Sequence, residues 1–211
     1  FTTYLFDGRG CGYSDGELAD WSVSKFVEDT EGVLDWAALR PSVESKRVGL
    51  FGHSLGSAVA ALAASRSPGS VHALVALTMP IDMETNFLWY LERFQSGVLD
   101  KVFADGKVWS PNLYDWFDRG FLDDLKLHDV RAALKKLKAP LLLIQPEDDN
   151  QVPAWISKQA YRCKRGVKKW VDVKGTHTMF QYDGGGGTIG WINEEEVAVT
   201  NEALSWFRKH L

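Results

Sequence analysis

The segment of this sequence best suited to chemistry is Gly52-His53-Ser54-Leu55-Gly56. It follows the apolar run Arg47-Val48-Gly49-Leu50-Phe51 and precedes Ser57 to Ala64, which is almost all small residues. A strand, a tight turn and a close-packing helix are therefore expected in succession. On such a turn a serine takes a strained backbone conformation, and flanking glycines keep side chains clear of the strand and helix. The hydroxyl is raised at a helix N-terminus, and the amide of Leu55 points where an oxyanion would form. This layout suits attack by Ser54 on a carbonyl.

A serine nucleophile needs a base, and the base needs an orienting acid. The histidines are His53, His72, His128, His177 and His210. His53 lies inside the turn, His72 in a strand pattern, His128 at a helix start and His210 at the C-terminus. His177 sits in Gly175-Thr176-His177-Thr178, directly after the last strand pattern. That is the carboxyl edge of a parallel sheet, the same edge as Ser54, so His177 is the expected base, within hydrogen-bond reach of Ser54. The acid is expected between them in chain order, just past a strand. Gln145-Pro146-Glu147-Asp148-Asp149-Asn150-Gln151-Val152-Pro153 offers three consecutive carboxylates there. One must turn inward to the imidazole while the other two stay solvated.

The elements that must position these residues follow from pattern. Thr3-Tyr4-Leu5-Phe6 reads as a strand ending in the turn Asp7-Gly8-Arg9-Gly10-Cys11-Gly12. Ser22 caps a helix with Phe26, Val27, Thr30, Val33, Leu34 and Ala37 on one face, and Pro41 ends it. Further strands are expected at 47–51, 71–77, 141–144 and 167–173, with a helix from Asp129 through Leu137. A final helix from Asn193 carries Glu194, Glu195 and Glu196 in its first turn and buries Val197, Leu204 and Phe207. Strands alternating with helices predict an α/β fold, a mostly parallel sheet covered by helices on both faces. Residues 82–127 break the alternation. They are rich in aromatics (Phe87, Trp89, Tyr90, Phe94, Trp109, Tyr114, Trp116, Phe117) and are expected to form a small helical lid. The core is then 1–81 with 128–211. The run Gly184-Gly185-Gly186-Gly187 reads as a loop.

Composition narrows the function classes. The 211 residues hold 24 Lys+Arg against 28 Asp+Glu, a formal charge of −4. Without a basic excess, binding to a nucleic-acid backbone is not expected. Neither a membrane helix nor a signal sequence is expected, because no apolar stretch is long enough for the one and no charged-then-apolar run opens these residues for the other. Cys11 and Cys163 are too few for a disulfide framework and read as free thiols, which leans towards the reducing cytoplasm. No His/Asp/Glu spacing resembles a metal-ligand set. The glycine-rich turn at 8–12 is not followed by a nucleotide-binding pattern. Neither metal nor organic cofactor is expected.

The order of Ser54, an acidic residue near 149 and then His177 resembles the α/β-hydrolase family. Four segments carry the likeness: the stretch Asp7 to Gly16, the turn at Ser54, the acidic turn and the His177 loop. The first is similar to the Asp-x-Arg-Gly-x-Gly-x-Ser stretch of lid-bearing serine esterases, lysophospholipase-like and aminopeptidase-like members. In that family the acid turn reads Gly-x-x-Asp before a Val-Pro pair. Alignment on Val152-Pro153 puts Pro146 in place of the Gly and implies Asp149 as the acid, with Asp148 in reserve. Two departures stand out. Ser57 occupies a position where many relatives have a second Gly. The strands that the family places ahead of residues 3–16 are missing, and with them the loop that donates the second oxyanion amide. The sequence thus looks like the greater part of a hydrolase lacking an interior strand, a fragment of a longer chain and a poor enzyme alone.

The resemblance implies hydrolysis of small-molecule carboxylic esters, and the aromatic lid suggests an apolar acyl or aryl group. Ser54 would be the nucleophile, His177 the base, Asp149 the acid and Leu55 the oxyanion donor. Amide, peptide or carbon–carbon hydrolysis by the same triad, or a non-catalytic ligand-binding scaffold, are the alternatives. A serine rather than an aspartate at the turn disfavours the dehalogenase and epoxide-hydrolase branches.

Overall fold

Ser22 opens the first regular element. Its hydroxyl accepts a hydrogen bond from the Lys25 N–H at 3.2 Å, and helix α1 runs over Val23–Ala38 with Val23, Val27, Thr30, Leu34 and Ala37 buried. There follow β1 (Gly49–His53), α2 (Leu55–Arg66), β2 (Ala73–Leu77), α3 (Met83–Phe94), β3 (Lys107–Ser110) and β4 (Asp115–Asp118). After them come α4 (Arg119–Leu125), α5 (Val130–Lys136), β5 (Leu141–Pro146), α6 (Ala154–Cys163), β6 (Lys168–Val173) and α7 (Glu194–His210). The computed structural model describes residues 1–17, 21–44, 46–94, 96–97, 100, 104–110, 115–178 and 194–211, with backbone alone at Phe94, 107–110 and 115–118.

Four strands form one parallel sheet in the order β1-β2-β5-β6, and β3 and β4 pair antiparallel with each other. Alternate side chains of β2 and β5 enter opposite layers, as the strand period requires. Leu74, Ala76, Leu141 and Leu143 join α1 and α2 and the buried faces of α4, α5 and α6 in the larger core. Ala73, Val75, Leu77, Leu142 and Ile144 meet Val199, Ala203 and Trp206 of α7 on the other face. The expected α/β architecture, helices on both faces of a parallel sheet, is present. In α2 Ala58, Ala60, Ala61, Ala63 and Ala64 are all buried, so the helix lies close against the sheet and α1.

Several local expectations are corrected. Residues 3–6 form no strand. An isolated extended segment has no neighbour to take its backbone hydrogen bonds, and this one is held by rings instead: Phe1 against Phe207, Tyr4 against Trp36 and Phe6 against Phe26. The strand placed at 47–51 lies two residues later, so His53 is its last residue. Helix α7 buries Val199, Ala203 and Trp206, while Val197 is 44% exposed. The i, i+4, i+7 arc that brings the large Trp206 ring onto the sheet turns Val197 outward. Phe207 is half-buried with its ring edge on Gly49, where an added Cβ would stand 2.5 Å from it.

Helix α6 was not anticipated. Its C-terminal carbonyls are capped by Lys168, whose Nζ donates to Tyr161 O at 2.7 Å and Lys164 O at 2.9 Å. The region 82–127, expected to be helical, contains the helices α3 and α4 and also the β3–β4 pair. Tyr90, Leu91, Phe121, Leu122 and Leu125 from it belong to the main core. Expectations for the side chains of Phe94, Trp109, Tyr114, Trp116 and Phe117, and for Gly184 to Gly187 and Asn193, lie outside what the structure describes. Cys11 and Cys163 are free thiols. Among the described residues no helix is long and apolar enough to cross a membrane.

Candidate active site

Ser54 stands between the end of β1 and the start of α2 with φ 53° and ψ −127°. Only Ser54 and Thr78 among the described non-glycine residues have positive φ, and such strain gathers at functional turns. Sequence imposes it locally. A Cβ on Gly52 would come within 2.4 Å of Gly56 O, so only glycine lets helix and strand meet this closely. Gly56 is different: nothing described lies within 4 Å of a Cβ there. The expectation that both glycines relieve a clash therefore holds for Gly52 alone.

Hydrogen bonds clamp the turn. Ser54 N–H donates to Leu77 O at 2.9 Å, which extends the β1–β2 ladder by one residue. The buried Ser57 hydroxyl lies 2.6 Å from Ser54 O and 2.8 Å from Thr78 O and shares its proton between them. The Ser54 hydroxyl itself makes no capping bond to α2. Leu55 is the first residue of α2, so its N–H is one of the unsatisfied amides at a helix N-terminus.

Asp149 and His177 are brought together. His177 Nδ1 lies 3.0 Å from both Asp149 Oδ1 and Asp149 Oδ2. Asp149 Oδ1 also accepts the N–H groups of Gln151 at 2.9 Å and Val152 at 2.8 Å, which pins the carboxylate inward. The competition among the three carboxylates is resolved by burial: Asp149 is buried, whereas Glu147 and Asp148 are exposed. Burial pushes the Asp149 carboxyl up. Its hydrogen bond with His177, that residue's charge and the two amides outweigh this and hold it below the usual carboxylate range. A carboxylate only accepts, so His177 carries a proton on Nδ1, and Nε2 is the ring nitrogen left for other partners.

The acid turn and the histidine loop are joined through the main chain. Glu147 N–H donates to Val173 O at 2.9 Å and Asp148 N–H to Gly175 O at 3.1 Å, continuing the β5–β6 pairing beyond the strands. Gly175, at φ 114°, then turns the chain back towards the sheet edge. Beneath them Gln145, fully buried, donates from Nε2 to Pro146 O and Val152 O, each at 3.2 Å.

His177 also meets the serine turn. Its carbonyl lies 2.8 Å from His53 Nε2, and the two rings are 4.8 Å apart at 39°. Among the hydrogen bonds of the described residues, none joins Ser54 Oγ to the His177 imidazole. In the sequence His53 is notable only as a residue inside the serine turn. Its adjacency to the serine was the available signal. The His53 pKa is lowered to about 4, chiefly by burial and next by the neighbouring His177.

A parallel sheet with a strained serine at one carboxyl end and a buried carboxylate–histidine pair at another defines a hydrolase-type α/β fold. The chain belongs to the alpha/beta hydrolase family, whose pattern it matches over residues 1–184. It is similar to the alpha/beta hydrolase domain-containing protein WAV2 of Arabidopsis thaliana, 28% identical over 163 residues, 75% of this chain and 47% of that one. It is likewise 28% identical over 185 residues to the lysophosphatidylserine lipase ABHD12 of Xenopus tropicalis, covering 84% of this chain and 43% of the other. The chain thus spans about half the length of the curated relatives it matches. In fold it is similar to Est1E from Butyrivibrio proteoclasticus, solved with ferulic acid bound. The TM-score is 0.72 and the identity 19%, over 96% of this chain and 76% of that one.

Proposed function

We propose that this protein is a serine hydrolase that cleaves carboxylic esters through an acyl-enzyme. The observation that carries this reading is the buried Asp149–His177 pair, tied through the His177 carbonyl to the residue preceding a strained serine. In the proposed reaction His177 Nε2 takes the Ser54 proton as Oγ attacks the ester carbonyl. The Leu55 N–H stabilises the oxyanion, and the imidazolium, held by Asp149, returns the proton to the departing alcohol. Water then follows the same route to release the acid. The lysophosphatidylserine lipase relative and the ferulic-acid complex of a fold neighbour favour an ester with an apolar acyl or aryl group.

Residues 82–127 are proposed as the cap over this edge. In support, α3 reaches the acid turn, where Asn86 Nδ2 donates to Gln151 O at 3.3 Å.

A fluorophosphonate probe and a short-chain aryl ester test the assignment. The expected result is covalent labelling and ester cleavage that both vanish in Ser54→Ala. A folded wild-type protein that the probe leaves unlabelled would overturn it.

A further inference from the structure

We propose that His53 is a positioning residue, its Nε2–H holding the main-chain carbonyl of His177 and thereby fixing the imidazole that serves Ser54. The inference rests on the reading of His177 as the base.

The histidine loop is tethered unevenly. Up to Gly175 the main chain is bonded to the acid turn, through Val173 O and Gly175 O. Past Gly175, the contacts that hold His177 among the described residues are its side chain on Asp149 and its carbonyl on His53. A side-chain bond fixes one end of a rotatable group, while a main-chain bond fixes the Cα from which it swings. Both are needed to hold a ring to the tolerance that proton transfer requires. His53 is well placed for this, because β1 ends on it and Ser54 follows it directly. One short peptide therefore carries both the nucleophile and the anchor of its base.

The chemistry of the contact is determined by the acceptor. A carbonyl oxygen only accepts, so His53 must carry its proton on Nε2, leaving Nδ1 bare. His53 also remains uncharged at neutral pH, since its pKa lies at about 4. A cationic ring 4.8 Å from His177 would oppose formation of the His177 imidazolium. A neutral one supplies the hydrogen bond without that penalty.

The test uses nitrogen-15 imidazole spectra of the wild-type protein and the variants His53→Phe and His53→Gln. Phenylalanine keeps a ring and loses the donor; glutamine restores an N–H. The wild type is expected to show His53 as the neutral Nε2–H tautomer. In His53→Phe the His177 Nδ1 proton signal should broaden, and fluorophosphonate labelling of Ser54 should slow by about 10- to 100-fold. In His53→Gln most of the signal and rate should return. A wild-type Nδ1–H tautomer at His53 overturns the proposal even if the phenylalanine variant does not fold. So does wild-type behaviour of His53→Phe, or a glutamine variant no better than phenylalanine. Failure of the probe on wild type would instead sink the serine assignment, with the tautomer and the His177 proton signal still deciding the role of His53.

Discussion

Strands β1 and β5 each deliver a candidate catalytic residue to the same edge, and they do so by different means. β5 lies between β2 and β6, and Leu141, Leu142, Leu143, Ile144 and Gln145 are all fully buried. β1 pairs with β2 on one side only among the described residues, and Phe51 at its centre is 48% exposed. Asp149 is accordingly placed by the sheet, through a turn bonded to the end of β6 and packed on Gln145. Ser54 is placed by its own turn. The absence of side-chain atoms at Gly52, one bond to Leu77 O and the Ser57 hydroxyl hold a backbone conformation that costs roughly 1–3 kcal/mol. A net hydrogen bond contributes about 0.5–1.5 kcal/mol, so the local clamp is of the size needed to offset the strain. The conformation of Ser54 is thus held by its own turn, on a strand that pairs on one side among the described residues.

The largest expected effect probes the sheet-held arm. Asp149→Asn keeps the shape of the turn but loses control of the His177 tautomer, and turnover of an aryl ester should fall by about 10⁴-fold. Asp148→Asn changes an exposed side chain and should leave turnover within a few-fold of wild type, roughly as expected for a surface substitution. Equal losses in the two would mean that burial does not select the acid.

The next effect probes the turn-held arm. Gly52→Ala drives a methyl into the Gly56 carbonyl and should destabilise the protein by on the order of 4 kcal/mol, or distort the turn and abolish probe labelling. Gly56→Ala meets nothing described within 4 Å and should be neutral or stabilising by up to about 1 kcal/mol. Thermal melts of the two variants measure the contrast. Similar melting temperatures would show that the turn is not fixed by sterics at Gly52.

These contrasts also mark what was legible in the sequence. The serine turn could be read because its chemistry is local: a five-residue motif between an apolar strand and a small-residue helix. Which of Glu147, Asp148 and Asp149 turns inward could not be read from the run of charges. That depends on the Gln151 and Val152 amides and on the position of His177 across the sheet. The strand expected at 3–6 failed for a related reason, since a strand exists only with a partner: Tyr4 and Phe6 rest on Trp36 and Phe26, while Leu5 is exposed. Helix α6 was hidden behind an acidic turn, and the α7 face was only partly placed: Phe207 does pack on the core, but Val197 is exposed where Val199, Ala203 and Trp206 are buried. His53 was visible throughout, but its value lies in a contact with a residue far along the chain, which no local pattern reveals.

The smallest expected effect separates the two arms by pH. His53 is buried beside His177 and has its pKa lowered from 6.5 to about 4, so between those values the unfolded chain binds a proton that the folded one refuses. Stability should therefore be flat above about pH 6.5 and fall as pH drops from 6.5 towards 4, by on the order of 3 kcal/mol in total. Asp149 is also lowered, from 3.8, so its contribution is present above that pH and is lost only on further acidification. The turn-held arm should thus weaken first and the sheet-held arm second. Denaturant midpoints between about pH 2 and pH 8 test this order. His53→Gln should flatten the decline between pH 6.5 and 4, whereas Asp149→Asn should leave that part of the profile sloping. An unchanged slope in His53→Gln would mean that protonation elsewhere drives the loss and that the serine arm is no more acid-sensitive than the other.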